Sequence, residues 1–576
     1  MGGDEKMPKH EAEFDYVIVG AGSAGCVLAN RLTEDPNVKV AILEAGGRNK
    51  SLMLRMPAAI GDIFMQKGPA NWMFQTVPQG TLDARRLYQP RGRGWGGSSA
   101  INGMLYVRGH ARDYDQWRQT GLTGWGYADV LPYFKRAEHN ENGGDTWRGD
   151  RGPLWVSVGP NGNPLYRAFI NAGRQAGHPV TRDFNGYQQE GLGPFHLTIK
   201  DGERCSAASA YLEPAIRDRR NLTVLSHAHA MKIIIENGEA RGVQYASGRM
   251  KVVKTVRARR EVILSAGVFQ SPQLLMLSGI GPADALRRHG ISVVHDAPEI
   301  GQNLQDHFDV VMSYRCTKPI TAHSFITGYR KILLGLEYLL FRTGQGRTNH
   351  VQAGAFLKSR TELDRPDIQL HFANVMLLNH QPLKTHSHGF GLHVCQLRPE
   401  SRGEMRLASP DPFAAPIIDP RYLSSETDRR TIRDGVRMVR EIVQQDALRM
   451  YRGPEVHPGL DVQTDSEIDA WTRQTGQSIF HPVGTVRMGA DANAPVGPDL
   501  ALRGVRRLRV VDASVMPTLV GGNTNAATIM IAEKAADMVR GRPPLSREEA
   551  PIAEDVAISH RVQVQRFASG TAVAFN

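Results

Sequence analysis

His481 opens the run His481-Pro-Val-Gly-Thr-Val-Arg-Met-Gly489, a glycine-containing turn that follows the apolar pair Ile479-Phe480. An imidazole there suits alcohol oxidation. Its pKa lies near working pH, so it can take a hydroxyl proton while hydride leaves the carbon. Further along, Gly521-Gly-Asn523-Thr-Asn525-Ala526 leads into an apolar helix expected from about Ala526 to Arg540. Asn525 is read both as the N-cap of that helix and as a group that hydrogen-bonds the substrate oxygen beside His481. The positive end of the helix would steady negative charge arriving on an electron acceptor.

Two glycine-rich stretches could seat such an acceptor. Gly20-Ala-Gly22-Ser-Ala-Gly25 follows the apolar run Tyr16–Val19, opens a helical stretch from Ala24 to Leu32, and precedes a strand from Val38 to Leu43 that ends in Glu44. In that setting the glycines let a pyrophosphate approach and the helix N-terminus holds it. Glu44 would accept hydrogen bonds from ribose hydroxyls. NAD and FAD both fit this unit. The second stretch, Arg91-Gly-Arg93-Gly-Trp-Gly-Gly97-Ser98-Ser-Ala-Ile-Asn102-Gly103, favours FAD. A long, non-dissociating flavin needs additional backbone donors, and NAD does not.

The elements that must position these residues alternate along the chain. Residues 16–44 form one βαβ unit. Residues 125–140 and 163–176 are expected to be helical. Thr223–Tyr245, with a turn at Asn237-Gly238, and Lys251–Ser265 are expected to be antiparallel strands. Leu508–Ala513 reads as a further buried strand. The segment from about 330 to 470 carries no phosphate-binding signature and is assigned to the substrate side. From Gly541 onward the chain has no clear period and is expected to be a flexible arm or an interface extension.

Composition narrows the class. The chain has 576 residues, 41% hydrophobic and 22% charged, as in globular proteins of more than one domain. Its net charge of +12 is scattered, which argues against nucleic acid as a partner. Cys26, Cys205, Cys316 and Cys395 are too dispersed for a disulfide scaffold or a zinc site, so no metal is expected, and thiols of this kind fit a cytoplasmic setting. No run is long and apolar enough to span a membrane, the polar N-terminus is not a secretory signal, and peripheral contact with an inner membrane stays open.

Taken jointly, these motifs resemble the glucose–methanol–choline (GMC) oxidoreductases. Ser265-Ala-Gly267 with Ser271-Pro272, and Gly301-Gln-Asn-Leu-Gln-Asp-His307, add to the resemblance, which is strongest to choline-dehydrogenase-like and alcohol-dehydrogenase members. It implies a mixed α/β fold. A Rossmann-like FAD-binding domain would be assembled from residues 1–160, 221–330 and 471–545. A substrate-binding domain with an antiparallel sheet would take 161–220 and 331–470, leaving 546–576 as a tail.

The resemblance implies His481 as the catalytic base and Asn525 as the second active-site residue. Candidate FAD contacts in the first loop are Gly20, Gly22, Ser23, Ala24, Gly25, Glu44 and Ala45. Trp72, Arg93, Gly97, Ser98, Asn102, Gly103, Met104 and Leu105 follow in and around the second. Ala230 would meet the adenine through its main chain, and Asp512, Ala513, Asn523, Asn525 and Ala526 complete the set. Ile101 stands where some members attach FAD through a histidine, so a non-covalent flavin is expected. Gln352 stands in Asn349–Gly354, where choline dehydrogenases carry an acid, which argues against choline.

The expected reaction takes a primary alcohol to an aldehyde, with hydride passing to flavin N5. A quinone or cytochrome is the expected electron acceptor. An oxidase passing electrons to O2, and a lyase without net redox chemistry, stay open as alternatives. Oligomeric state stays open, a homodimer included.

Overall fold

The computed structural model describes residues 12–63, 68–159, 162–378, 381–382 and 387–553. The N-terminal residues 1–11 and most of the tail expected at 546–576 lie outside that range.

The first βαβ unit forms as its hydrophobic pattern requires. β1 (Ala12–Val19) and β2 (Val40–Glu44) pair in parallel, and α1 (Ser23–Leu32) connects them. β2 is buried along its whole length, which explains its unbroken apolar run. Five further strands extend the sheet. Leu222–Ser226 lies parallel to β2, and Val252–Leu264 lies parallel to β1. Residues 228–236, 239–247 and 252–257 then fold as an antiparallel meander. Its first turn is Asn237-Gly238, both at positive φ, the geometry a two-residue hairpin favours. The stretch expected to be antiparallel from Thr223 therefore begins with a parallel strand. Leu508–Val510 returns from far along the chain to pair with Val262–Leu264.

A second seven-stranded sheet has only antiparallel pairings. It runs in the order 452–457, 308–316, 389–396, 368–373, 353–357, 191–194, with Gln477–Ser478 on the second strand. One pairing of this sheet crosses the domain boundary expected at 330. Phe308–Cys316 hydrogen-bonds to Gly389–Gln396 and belongs to the second sheet. The sequence run alone could not reveal it, because a buried strand reads alike in either sheet. Outside this sheet lies α2 (Gly328–Phe341). Among the described residues, no helix is long and apolar enough to cross a membrane and no cluster of acids, histidines or cysteines is arranged to hold a metal. All four cysteines are buried and unpaired.

Candidate active site

A cavity of about 430 Å³ runs between the two sheets, from Glu44 and Ala230 at one end to His481 and Asn523 at the other. The first end is made of backbone. Gly22 caps α1 without a side-chain hydrogen bond, which leaves the first-turn N–H groups of Ser23 and Ala24 directed at the cavity wall. A Cβ on Gly25 would lie 1.9 Å from the Gly20 carbonyl oxygen, so Gly25 serves the packing of helix on strand and stands behind the wall. The second glycine loop packs on the first, with the Gly96 N–H donating to the Ala21 carbonyl (2.8 Å). Gly97 has φ +50°, and a Cβ there would meet Gly22 Cα at 2.7 Å.

Glu44 ties the two loops together. Its carboxylate accepts from the N–H groups of Ala21 (3.0 Å), Gly46 (2.8 Å) and Gly94 (2.8 Å) while still facing the cavity. Trp72 lines the wall with the Arg93 guanidinium 4.9 Å over its ring, so Arg93 supports the wall from behind and donates to the Ala45 carbonyl. Asp512 accepts from Gly267 N–H, Ser271 Oγ and Ser514 N–H, holding the turn that brings Ala513 to the cavity. The remaining wall contains Ser98, Gly103, Met104, Leu105 and Asn102, whose amide oxygen accepts from the buried Arg204. Burial lowers the Arg204 pKa to about 9, so it stays charged at neutral pH. Ala526 is buried off the wall. The uncapped helix start, the glycine cradle and the orphaned Ser265 hydroxyl on the wall fit an extended dinucleotide such as FAD.

The other end is made of side chains, and it corrects one expectation. The last helix, α3, spans Thr524–Val539, two residues earlier than expected, and its N-cap residue is Asn523. Asn525 therefore lies in the first turn, where its Oδ1 accepts from Ser23 Oγ (2.8 Å). It joins the start of α3 to the start of α1 and does not reach His481. Asn523 reaches it instead: its Nδ2 is 3.1 Å from His481 Nε2. A two-residue slip in the helix start decides which asparagine faces the imidazole, and spacing in the sequence cannot fix that start.

The hydrogen bonds around His481 assign its tautomer. The Leu397 carbonyl can only accept, so His307 Nε2, 3.1 Å away, carries the proton. His307 Nδ1 is then a lone pair and accepts from His481 Nδ1–H at 3.0 Å. This leaves His481 Nε2 unprotonated and facing the Asn523 amide. The orientation of Asn523 is checked independently, because its Oδ1 accepts from Gln369 Nε2 (3.2 Å). The His481 backbone is fixed by its N–H donating to Asp306 Oδ1 (2.8 Å), while Ser478 and Tyr422 hydroxyls donate to the other Asp306 oxygen. Burial, then His307 and Arg91, push the His481 pKa well below the ordinary histidine value, and burial pushes His307 down to about 3. Both imidazoles are neutral at neutral pH.

Sequence reasoning quoted His307 only within a motif and gave no role to Asp306, Gln369 or Leu397. The wall beyond His481 is formed by Ile326, Val351, Val375, Leu377, Ile479 and Phe480 with the imidazoles of His350, His371 and His393. Gln352 stands off that wall, its amide donating to Thr348 Oγ1 (2.6 Å).

Comparison with known proteins gives the family of the chain. Models of the GMC oxidoreductases match residues 14–309 and 399–532. The chain is 47% identical over 537 residues to an oxygen-dependent choline dehydrogenase of Brucella ovis, covering 93% of this chain and 97% of the other. It is 47% identical to the mitochondrial choline dehydrogenase of Homo sapiens, covering 94% and 92%. Among solved structures, pyridoxine 4-oxidase from Mesorbium loti superposes with a TM-score of 0.84 at 33% identity, covering 92% of this chain and all of the other. Formate oxidase from Aspergillus oryzae gives 0.86 at 27% identity, covering 92% and 99%.

Proposed function

Because the chain belongs to the GMC oxidoreductases, FAD flavoproteins that act on alcohol groups, we propose that it is a dehydrogenase of neutral primary alcohols, with His481 as the base. When bound, FAD would supply the two-electron acceptor for the hydride that leaves the alcohol carbon. The observation that carries the reading is the unprotonated Nε2 of His481 beside the Asn523 amide. The alcohol hydroxyl donates to Nε2 and passes its proton there as the carbon–hydrogen bond breaks. The Asn523 Nδ2–H donates to the same oxygen and steadies the charge it gathers. His481 keeps its Nδ1–H on His307 throughout, so the ring does not turn. The first turn of α3, with Thr524 and Asn525 on the cavity wall, presents its positive end to the cavity and would favour negative charge on a flavin held there. Ile101, buried on the wall, offers no atom for a covalent link, which supports a non-covalent flavin.

Charge guides the substrate class. Among the described residues, the carboxylates on the cavity wall are Glu44 and Asp512, both at the dinucleotide end. Near His481, Asp309 sits behind His393 and is bound to it (2.7 Å). The described wall of the reaction end has apolar groups and imidazoles, with the buried cation Arg91 adjoining it. A quaternary ammonium favours a carboxylate or an aromatic cage. The relatives named for choline are therefore a guide to the reaction type and less so to the substrate. Kinetics on choline and its uncharged isostere 3,3-dimethylbutan-1-ol test this reading. We expect kcat/KM for the isostere to equal or exceed that for choline, and a preference for choline of more than roughly tenfold contradicts it. The same assays, run with a quinone and then with O2 alone, separate a dehydrogenase from an oxidase. A substrate that is turned over anaerobically without bleaching the flavin would indicate a lyase.

A further inference from the structure

The helix α2 is apolar on both sides. Leu334 and Tyr338 face inward and are buried, and the Tyr338 hydroxyl donates to the Gly202 carbonyl (3.1 Å). At 100° per residue, Ile332, Leu333, Leu336, Leu339 and Leu340 form a stripe on the opposite side, and Phe341 is exposed at the C-terminal end of the helix. These six side chains are 48–68% exposed. A helix apolar all round belongs in a protein interior or against lipid, and an exposed apolar stripe of this size marks an interaction surface.

The surrounding charge selects the occupant. Residues 318–347 carry Lys318, Arg330, Lys331, Arg342 and Arg347 against the single acid Glu337, with Arg342 also paired to Glu203 (2.8 Å), within a chain of net charge +12. A second copy docked face to face would bring two cationic rims together, because a two-fold contact pairs a patch with itself. An anionic lipid surface meets both the apolar stripe and the basic rim. The position is apt as well. Ala322 and Ile326 line the reaction end of the cavity, and the chain enters α2 directly after them.

We propose that α2 docks the protein on an anionic bilayer, lying in the plane of the interface with Leu336 and Leu340 toward the acyl chains and the basic residues among the headgroups. The cavity wall at Ile326 then borders the lipid, where apolar alcohols and lipid-soluble acceptors concentrate.

The test is flotation of the purified, full-length flavoprotein with vesicles of phosphatidylcholine alone or mixed with phosphatidylglycerol. We expect the protein to float with the anionic vesicles and much less with the neutral ones. The double variant Leu336→Asp/Leu340→Asp should lower the bound fraction roughly tenfold or more, with flavin content and the far-UV circular dichroism spectrum unchanged. Arg330→Glu/Lys331→Glu should weaken flotation with anionic vesicles selectively, and this variant leaves the apolar stripe intact should the first fold poorly. Wild-type protein that floats with neither vesicle overturns the proposal, as does undiminished flotation of the leucine variant. A wild-type dimer that the leucine variant dissociates, without flotation of either protein, assigns the face to a second copy and overturns it too.

Discussion

The two ends of the cavity are built on different principles. The dinucleotide end is held by backbone: glycines without room for a Cβ, free N–H groups at the start of α1, and Glu44 clasping three amides. The reaction end is held by side chains from distant segments, with Leu397 fixing His307, His307 fixing His481, and Gln369 fixing Asn523. A backbone site tolerates no added atom but is indifferent to most neighbours. A side-chain site tolerates change of volume but depends on each hydrogen bond in order.

That contrast can be broken first at its backbone end. Gly25→Val places a side chain against the Gly20 carbonyl, where even a Cβ has only 1.9 Å. It is expected to abolish FAD retention, measured as the 450-nm absorbance per protein, and lower soluble yield. A yellow, stable Gly25→Val protein would show that the loop relaxes and that the cradle is less tight than described. At the other end, Asn523→Ala should slow anaerobic flavin reduction by about a hundredfold, the scale of one oxyanion donor, while FAD stays bound. Asn525→Ala should do the reverse: it frees Ser23 at the start of α1, weakening FAD retention by a few-fold with a smaller effect on the reduction rate. Equal kinetic effects from the two variants would erase the distinction between them.

A smaller effect concerns acid. His307 and His350 are buried and neutral, with pKa lowered by burial to about 3 and about 4. The unfolded chain takes up protons near the ordinary histidine value, while the folded chain refuses them until the pH falls much further. Stability is therefore fully present above about pH 6.5 and is lost as pH falls from there toward those depressed values. The melting temperature should drop across pH 6.5 to 4, and replacing His350 with Phe should make that slope shallower. A melting temperature that is flat over the interval would contradict the neutral assignment.

The same contrast explains what was legible in the sequence. Gly20, Gly22, Gly25 and Glu44 lie within one short stretch, so the demands of a backbone cradle are written as local spacing. The βαβ unit and the hairpin at Asn237-Gly238 were legible for the same reason. The reaction end was legible only at His481. Its partners come from residues 307, 369, 397 and 523, and no local pattern unites them. Asn525 was expected where Asn523 stands because Asn-Thr-Asn offers two candidates and only the true helix start chooses. The strand Phe308–Cys316 was not legible as part of the second sheet because burial on both faces removes the alternation that would have marked its partners.

In the proposed reaction a neutral His481 accepts the substrate proton at Nε2. Anaerobic stopped-flow reduction of the flavin in His481→Ala tests it most directly. The rate of reduction by a primary alcohol should fall by about a thousandfold, with FAD content and its visible spectrum preserved. Reduction at a rate near that of the wild type, in a variant that retains its flavin, would contradict it.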